Sequence, residues 1–288
     1  MNTNGPLGAA IEVNNIVDLQ KDMDNRKLVM RLSTTIDNGN VFYTEQNGFD
    51  IIRRKRFSNF LPEAAHYPST AVAYIQDKTS RLSLLTSQPV GVSSQRSGSL
   101  EVMLDRRLTS DDDCGLGEGI LDNRRTNQRF YILWEFASSG SRDTNETIIS
   151  TPSLLAHVLV HHMRNYPILL QTRRKVEFVP YAALTTDFSC DVILVNLRTI
   201  DNTSNHAGLV LHKLKLSATY VSFASVSVGC SLSKNFVLTQ LFRDLSVQSL
   251  VETSLSLLHD KQHIDPDEPI VLDQMHLYTF RISFKIKS

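Results

Sequence analysis

Apolar and polar residues alternate along most of this chain, in short runs separated by turn-forming residues. LVMRLS (28–33) runs into a polar turn at Ile36 to Gly39. VFYTEQNGFDIIRRKRF (41–57) places Asn47 and Gly48 between two β-rich runs. Asn-Gly is the strongest short hairpin signal, because both residues accept the positive φ of a type I′ turn. AVAYIQD (71–77), RLSLLTSQPVGVS (81–93), LEVMLDRRL (100–108) and RFYILWEF (129–136) are further strands. Their β-branched and aromatic content and regular turn spacing predict a sandwich.

One segment departs from the two-residue period. PSLLAHVLVHHMRNY (152–166) sets Leu154, Leu155, Val158, Leu159 and His162 near helical spacing. Pro152 and Ser153 supply a start and Pro167 a stop, which predicts a helix, while the valines leave a strand open. Strand patterns then return in CDVILVNLRTI (190–200), GLVLHKL (208–214), ATYVSF (218–223), LSVQSLVETSLSLL (245–258) and MHLYTFRISFKI (275–286). The polar stretches DNTSNHAG (201–208) and HDKQHIDPDEPI (259–270) are expected loops. The pattern predicts an all-β chain with two sandwich-like halves that join near Pro180 to Cys190.

Composition narrows the function. The 288 residues suffice for one large β domain or two smaller ones. Lysine plus arginine and aspartate plus glutamate balance at 30 each. A neutral chain lacks the basic field that nucleic-acid binding requires. No apolar run is long enough for a membrane-spanning helix. The start, MNTNGPLGAAIEVNN, has neither the basic residues nor the apolar core of a signal peptide. Two glycosylation sequons are nevertheless present, at Asn145 (with Thr147) and Asn202 (with Ser204). Three cysteines, Cys114, Cys190 and Cys230, allow one disulfide and one remaining thiol.

Charge and glycine concentrate in one place, LDRRLTSDDDCGLGEGILDN (104–123). A turn needs far less, so this segment is expected to make a contact. Arg106 and Arg107 are neighbours on a strand pattern and therefore point to opposite faces. One of them is expected to pair with the acidic run Asp111 to Asp113. GLGEG (115–119) lacks the spacing of a dinucleotide or phosphate loop, and the aspartates lack the spacing of a calcium loop. No pair of its carboxylates is visibly held across a sugar. His157 and His161 have zinc-ligand spacing on a helix, but no third ligand is evident, so a packed helix face is the better reading.

The residues GVSSQRSGSLEVMLDRRLTSDDDCGLGEGILDNRRTNQRF (91–130) resemble a long signature of glycoside hydrolase family 38, the α-mannosidases, in its C-terminal region. GPLGAAIEVNNIVDL, VFYTEQNGFDIIRRKRF, YPSTAVAYIQDKTSRLSLLT and CDVILVNLRTI extend the likeness over essentially the whole chain. It is strongest to the Golgi α-mannosidase II branch. Gln95 and Cys114 depart from the usual residues without touching the arginine pair or the glycines.

The resemblance implies a galactose-mutarotase-like super-β-sandwich over residues 1–180 and a smaller Ig-like β-sandwich over 181–288. It implies a zinc-dependent, retaining enzyme that trims mannose from N-glycans in the Golgi lumen. Zinc ligands and nucleophile belong to an N-terminal barrel that no segment of this chain matches. The expectation is thus a C-terminal portion with no cofactor of its own, inactive alone, whose partners are the N-terminal domains. A non-catalytic carbohydrate-binding or scaffolding module and a gene fragment are the alternatives. Arg106 or Arg107, with Arg107 slightly favoured, is expected to line the rim of the mannose pocket, on a loop shaped by Asp111, Asp112, Gly115, Gly117 and Asp122. In an oxidising lumen Cys190 and Cys230 are expected to pair, leaving Cys114 on the loop.

Overall fold

The computed structural model describes residues 5–57, 59, 61, 65–111, 113–115, 117–138, 151–165, 167–173, 175, 177, 179–200, 205–222, 228 and 235–287. The chain divides into two compact units, Met1–Tyr166 with Leu216–Val228, and Pro167–Lys215 with Gly229–Ser288. Every ladder between the described strands is antiparallel.

In the first unit, seven strands form one sheet. Its order is β1 (Ala10–Val17), β10 (Thr126–Ala137), β7 (Ser80–Thr86), β6 (Val72–Gln76), β3 (Val41–Gln46) and β4 (Asp50–Lys55), with β13 (Tyr220–Ser222) pairing on β10. Four strands form a second sheet, in the order β2 (Arg26–Ser33), β9 (Ser99–Arg107), β8 (Val90–Ser93) and β5 (Tyr67–Ser69). Strand side chains alternate between faces, and here both faces of the larger sheet are covered. Phe42, Ala73, Ile75, Leu82, Leu84 and Phe130 meet Val92, Leu100 and Val102 of the smaller sheet. The alternate residues Tyr43, Val72, Tyr74, Leu85, Tyr131 and Leu133 pack under the helix α1 (Leu154–Arg164). Every residue of β7 is therefore buried, its serines and threonine included. Each large apolar side chain so enclosed contributes about 1.5–3 kcal/mol.

Helix α1 begins where Ser153 accepts a hydrogen bond from the Ala156 amide at 3.0 Å. It ends where the Asn165 amide closes on His161 O. Its buried stripe is Leu155, Ala156, Leu159, Val160 and Met163. The apolar face is thus rotated from the one read in the sequence, and His162 is exposed. The Asn-Gly hairpin forms, with φ of 60° at Asn47 and 80° at Gly48. There Gln46 pairs with Asp50 across the turn.

In the second unit a five-stranded sheet runs β11 (Val192–Thr199), β12 (His206–Lys213), β18 (Leu277–Ile286), β15 (Leu245–Thr253) and β16 (Asp260–Ile264). Its inner face, with Leu209, Leu211, Val247, Leu250, Phe280 and Ile282, packs on Leu238, Leu241, Phe242, Ile270 and Leu272. A short ladder of β14 (Asn235–Phe236) and β17 (Ile270–Val271) lies in this unit. Strand β16 corrects the loop expected over 259–270. Its residues are almost all exposed, so an edge strand is written there in polar letters that show no alternation. Backbone pairing to β15 makes it a strand, not burial of side chains.

Candidate functional site

The charged, glycine-rich segment forms the corner that follows β9. Leu108 and Ile120 exchange backbone hydrogen bonds at 3.1 and 2.8 Å, which closes the residues between them into a loop. Gly119 permits the closure, since a Cβ on it would lie 2.4 Å from Leu108 O. Inside the loop, Asp111 acts as a local cap. One of its oxygens accepts from the Asp113 amide at 2.7 Å, and the other from the Gly117 amide at 2.9 Å. Gly117 has φ 70°, a conformation costly for any residue with a Cβ. A Cβ on Gly115 would stand 3.3 Å from Asp111 Oδ2.

Alternation separates the two arginines. The Arg107 side chain is only 8% exposed, and its guanidinium is used inside the fold. Its Nε donates to Asp24 Oδ1 at 2.6 Å, and Nη1 donates to Leu121 O at 2.9 Å and Asn123 Oδ1 at 3.1 Å. Charged partners at these lengths make the stronger class of hydrogen bond. Arg107 therefore fastens the end of β9 to the start of β2 and to the far stem of the loop. Arg106 is exposed. It borders a cleft of about 300 Å³ with Leu108, Ser110, Asp111, Glu118 and Ile120.

Asn123 joins the two arginines. Its Nδ2 donates to both oxygens of Asp105 at 3.0 Å and to Arg106 O at 2.8 Å, while its Oδ1 receives Arg107. Asp105 also accepts from the Arg106 amide at 2.8 Å. The backbone that carries Arg106 is thus held on both sides, and its side chain is left facing outward. From the other stem, Asn25 Oδ1 receives both the amide and the hydroxyl of Thr109, at 3.0 and 2.8 Å.

The expected partner of the arginine pair was the acidic run, and the structure pairs Arg107 with Asp24 instead. Asp111 accepts from two loop amides and Gly117 has φ 70°, while Gly115, Gly117 and Asp122 are exposed. Asp112 lies outside the described residues, as do Asn145, Asn202 and Cys230. Cys190 is disulfide-bonded, and Cys114 is exposed on the loop and outside any disulfide. Sequence reasoning passed over Asp24, Asn25 and Asn123, and did not foresee that Asp105 holds Asn123 or that Gly119 permits the closure. Asp105, Gly119 and Asn123 lay within the conspicuous segment, without the roles the structure gives them, and Asp24 and Asn25 lay outside it.

The rings of His157 and His161 stand 4.4 Å apart on α1, with burial and the nearby Arg164 holding His161 below the usual histidine value. Among the described residues no group of three or more His, Cys, Asp and Glu side chains could hold a metal ion.

The family model "Glycosyl hydrolases family 38 C-terminal domain" matches residues 6–113. "Alpha-mannosidase 2" of Homo sapiens is 38% identical over 295 residues, which covers 98% of this chain and 25% of that protein. "Alpha-mannosidase 2" of Drosophila melanogaster is 50% identical over 117 residues, 41% of this chain and 10% of that one. Among solved structures, an α-mannosidase from Enterococcus faecalis aligns over 95% of this chain and 27% of its own. Its TM-score of 0.56 at 12% identity marks a shared fold. The chain spans about a quarter of the length of the first of these relatives.

Proposed function

The chain belongs to glycoside hydrolase family 38, as its C-terminal β region, and from that premise we infer that it serves an α-mannosidase trimming mannose from N-glycans. In this reading the catalytic work is shared. A retaining glycosidase needs a nucleophilic carboxylate and a second carboxylic acid held across the scissile bond. Both, with the zinc, come from the family's N-terminal barrel. Zinc does not fit the described residues of this chain, because no donor set of three converges among them. The β region contributes the corner at Arg106. One observation carries this: Asp105, Arg107 and Asn123 are tied to one another, to Asp24 and to loop backbone, while the neighbouring Arg106 side chain is exposed beside the cleft. A guanidinium offers donors in a fixed fork suited to sugar hydroxyls or a carboxylate. Arg106 therefore supplies the pocket rim, and Arg107 supplies the rigidity behind it. The Golgi lumen is the proposed compartment, and a bonded Cys190 suits an oxidising one. Pairing of Cys190 with Cys230 belongs to the same reading.

The test uses the purified chain and the same chain joined to the barrel and helical domains of a relative. The chain alone is expected to turn over no aryl α-mannoside and to retain no stoichiometric zinc. Chelator-sensitive turnover by it would overturn the division of labour. In the joined enzyme, Arg106→Ala removes a charge-assisted bond of about 1.5–3 kcal/mol. Where that bond forms to the transition state, kcat/KM falls about 10- to 100-fold. Unchanged kcat/KM would remove Arg106 from the pocket.

A further inference from the structure

Both ends of α1 meet a carboxylate buried in the seven-stranded sheet. Beneath the N-terminal end lies Glu135 of β10, which is 0% exposed. Among the described residues no hydrogen bond of ordinary geometry reaches either of its oxygens. Four groups face it from four elements. Arg81 stands beside it on β7, in register across the ladder. Tyr74 of β6 and Tyr220 of β13 flank that guanidinium, with ring centroids 4.4 and 4.2 Å away. Ser153, the N-cap of α1, completes the set. The Tyr74 hydroxyl is likewise buried, without a hydrogen bond among the described residues. At the other end, Glu45 of β3 is 9% exposed. It receives the Thr70 hydroxyl at 2.6 Å, and the amides of Ala71 and Val72 point to it. Arg164, in the last turn of α1, acts on it electrostatically and donates to Thr70 O.

We propose that these carboxylates form an acid-favoured clamp: Glu135 and Glu45 take up protons as α1 seats on the sheet, so the helix docks more firmly as pH falls. An enclosed carboxylate is costly to bury charged; Glu135 is also short of donors, whereas Glu45 is enclosed but has the Thr70 hydroxyl and two amides. The protonated acid also gains a hydrogen to donate, which the crowded tyrosine hydroxyls and Ser153 can receive. Burial pushes both groups above the ordinary carboxylate value of 4.5, against the opposing pull of Ser153 and Arg81 on Glu135, and of Thr70 and Arg164 on Glu45. The sign follows from linkage. A folded state that binds an extra proton is favoured below the unfolded carboxylate value and loses that advantage as pH rises through the folded one. His161, half-buried on α1 and held low by that burial and by Arg164, works the other way as pH drops from 6.5. His157 and His162 lie on the same helix, and no other titratable side chain of α1 remains besides Arg164.

The experiment uses the full chain, with His161→Asn as background to remove the opposing histidine. Thermal unfolding is followed at pH 5 and pH 7.5, with hydrogen exchange at the α1 amides corrected for intrinsic rate. Tm and α1 protection are expected to be higher at pH 5. Glu135→Gln keeps the size of the neutral acid, so it should raise Tm at pH 7.5 by roughly 2–4 °C and flatten the profile. Glu45→Gln should act in the same direction but less, because Thr70 and two amides already support its charge. If Glu135→Gln lowers Tm equally at both pH values, its charge is stabilising and the clamp is wrong. If that variant does not fold, the background protein decides alone: a Tm and an α1 protection that do not fall from pH 5 to pH 7.5 overturn the proposal.

Discussion

The corner after β9 and the interior beneath α1 each bury an arginine near carboxylates, and the two are finished differently. At the corner, Arg107 holds Asp24, Leu121 O and Asn123 with three bonds of 2.6 to 3.1 Å. In the interior, Arg81 is held by Gln76 and Thr151 O at 2.9 Å and by two tyrosine rings, while neighbouring Glu135 has no bond of ordinary geometry among the described residues. Complete pairing fixes a backbone in one place. Incomplete pairing leaves a group whose protonation still matters to the fold. The first arrangement suits a rim that must present one side chain accurately, and the second suits a seat that answers to pH.

Three substitutions at the corner sharpen the contrast. Arg107→Ala should cost the most, about 2–4 kcal/mol, because it removes three bonds of a buried guanidinium and releases the loop stem at once, the share from exposed Asp24 being screened by water. Equilibrium denaturation measures it, and a midpoint equal to wild type would mean that the corner is surface decoration. Asn123→Ala comes next at about 1.5–3 kcal/mol, since its bonds go to charged groups. It should also speed exchange of the Arg106 amide, and unchanged exchange there would show that Asp105 alone holds this backbone. Arg106→Ala should leave stability within about 0.5 kcal/mol of wild type. A larger loss by the same denaturation assay would place Arg106 inside the fold and erase the difference between the two arginines.

Much of this was legible in the letters. The Asn-Gly hairpin, the Ser153 cap and the strand alternation that splits Arg106 from Arg107 depend on neighbours within a few residues. Which arginine turns inward did not follow, because the answer lies with Asp24, far back in sequence, and with a bulge between Leu28 and Val29 that sets the pairing of β2 on β9. Strand β16 was missed because periodicity reports burial, and β16 has almost none. The rotated stripe of α1 has a similar source. Ala156 and Met163 gain their place from the sheet beneath, where Tyr43, Tyr74 and Leu133 leave room for a small residue and a flexible one.

The return of residues 216–228 to the first unit has a consequence for synthesis. Strand β13 pairs with β10 only after the ribosome has delivered the whole of β11 and β12. Tyr220 then covers Arg81 and donates to Asp77 O at 2.6 Å. Until that moment the nascent first unit has an open strand edge and an uncovered guanidinium, a state that invites wrong pairings and chaperone capture. For the same reason no single proteolytic cut can release the first unit intact. Cleavage between α1 and β11 severs the main chain between the sheet and one of its own strands, and the two pieces must stay together for Arg81 to remain covered.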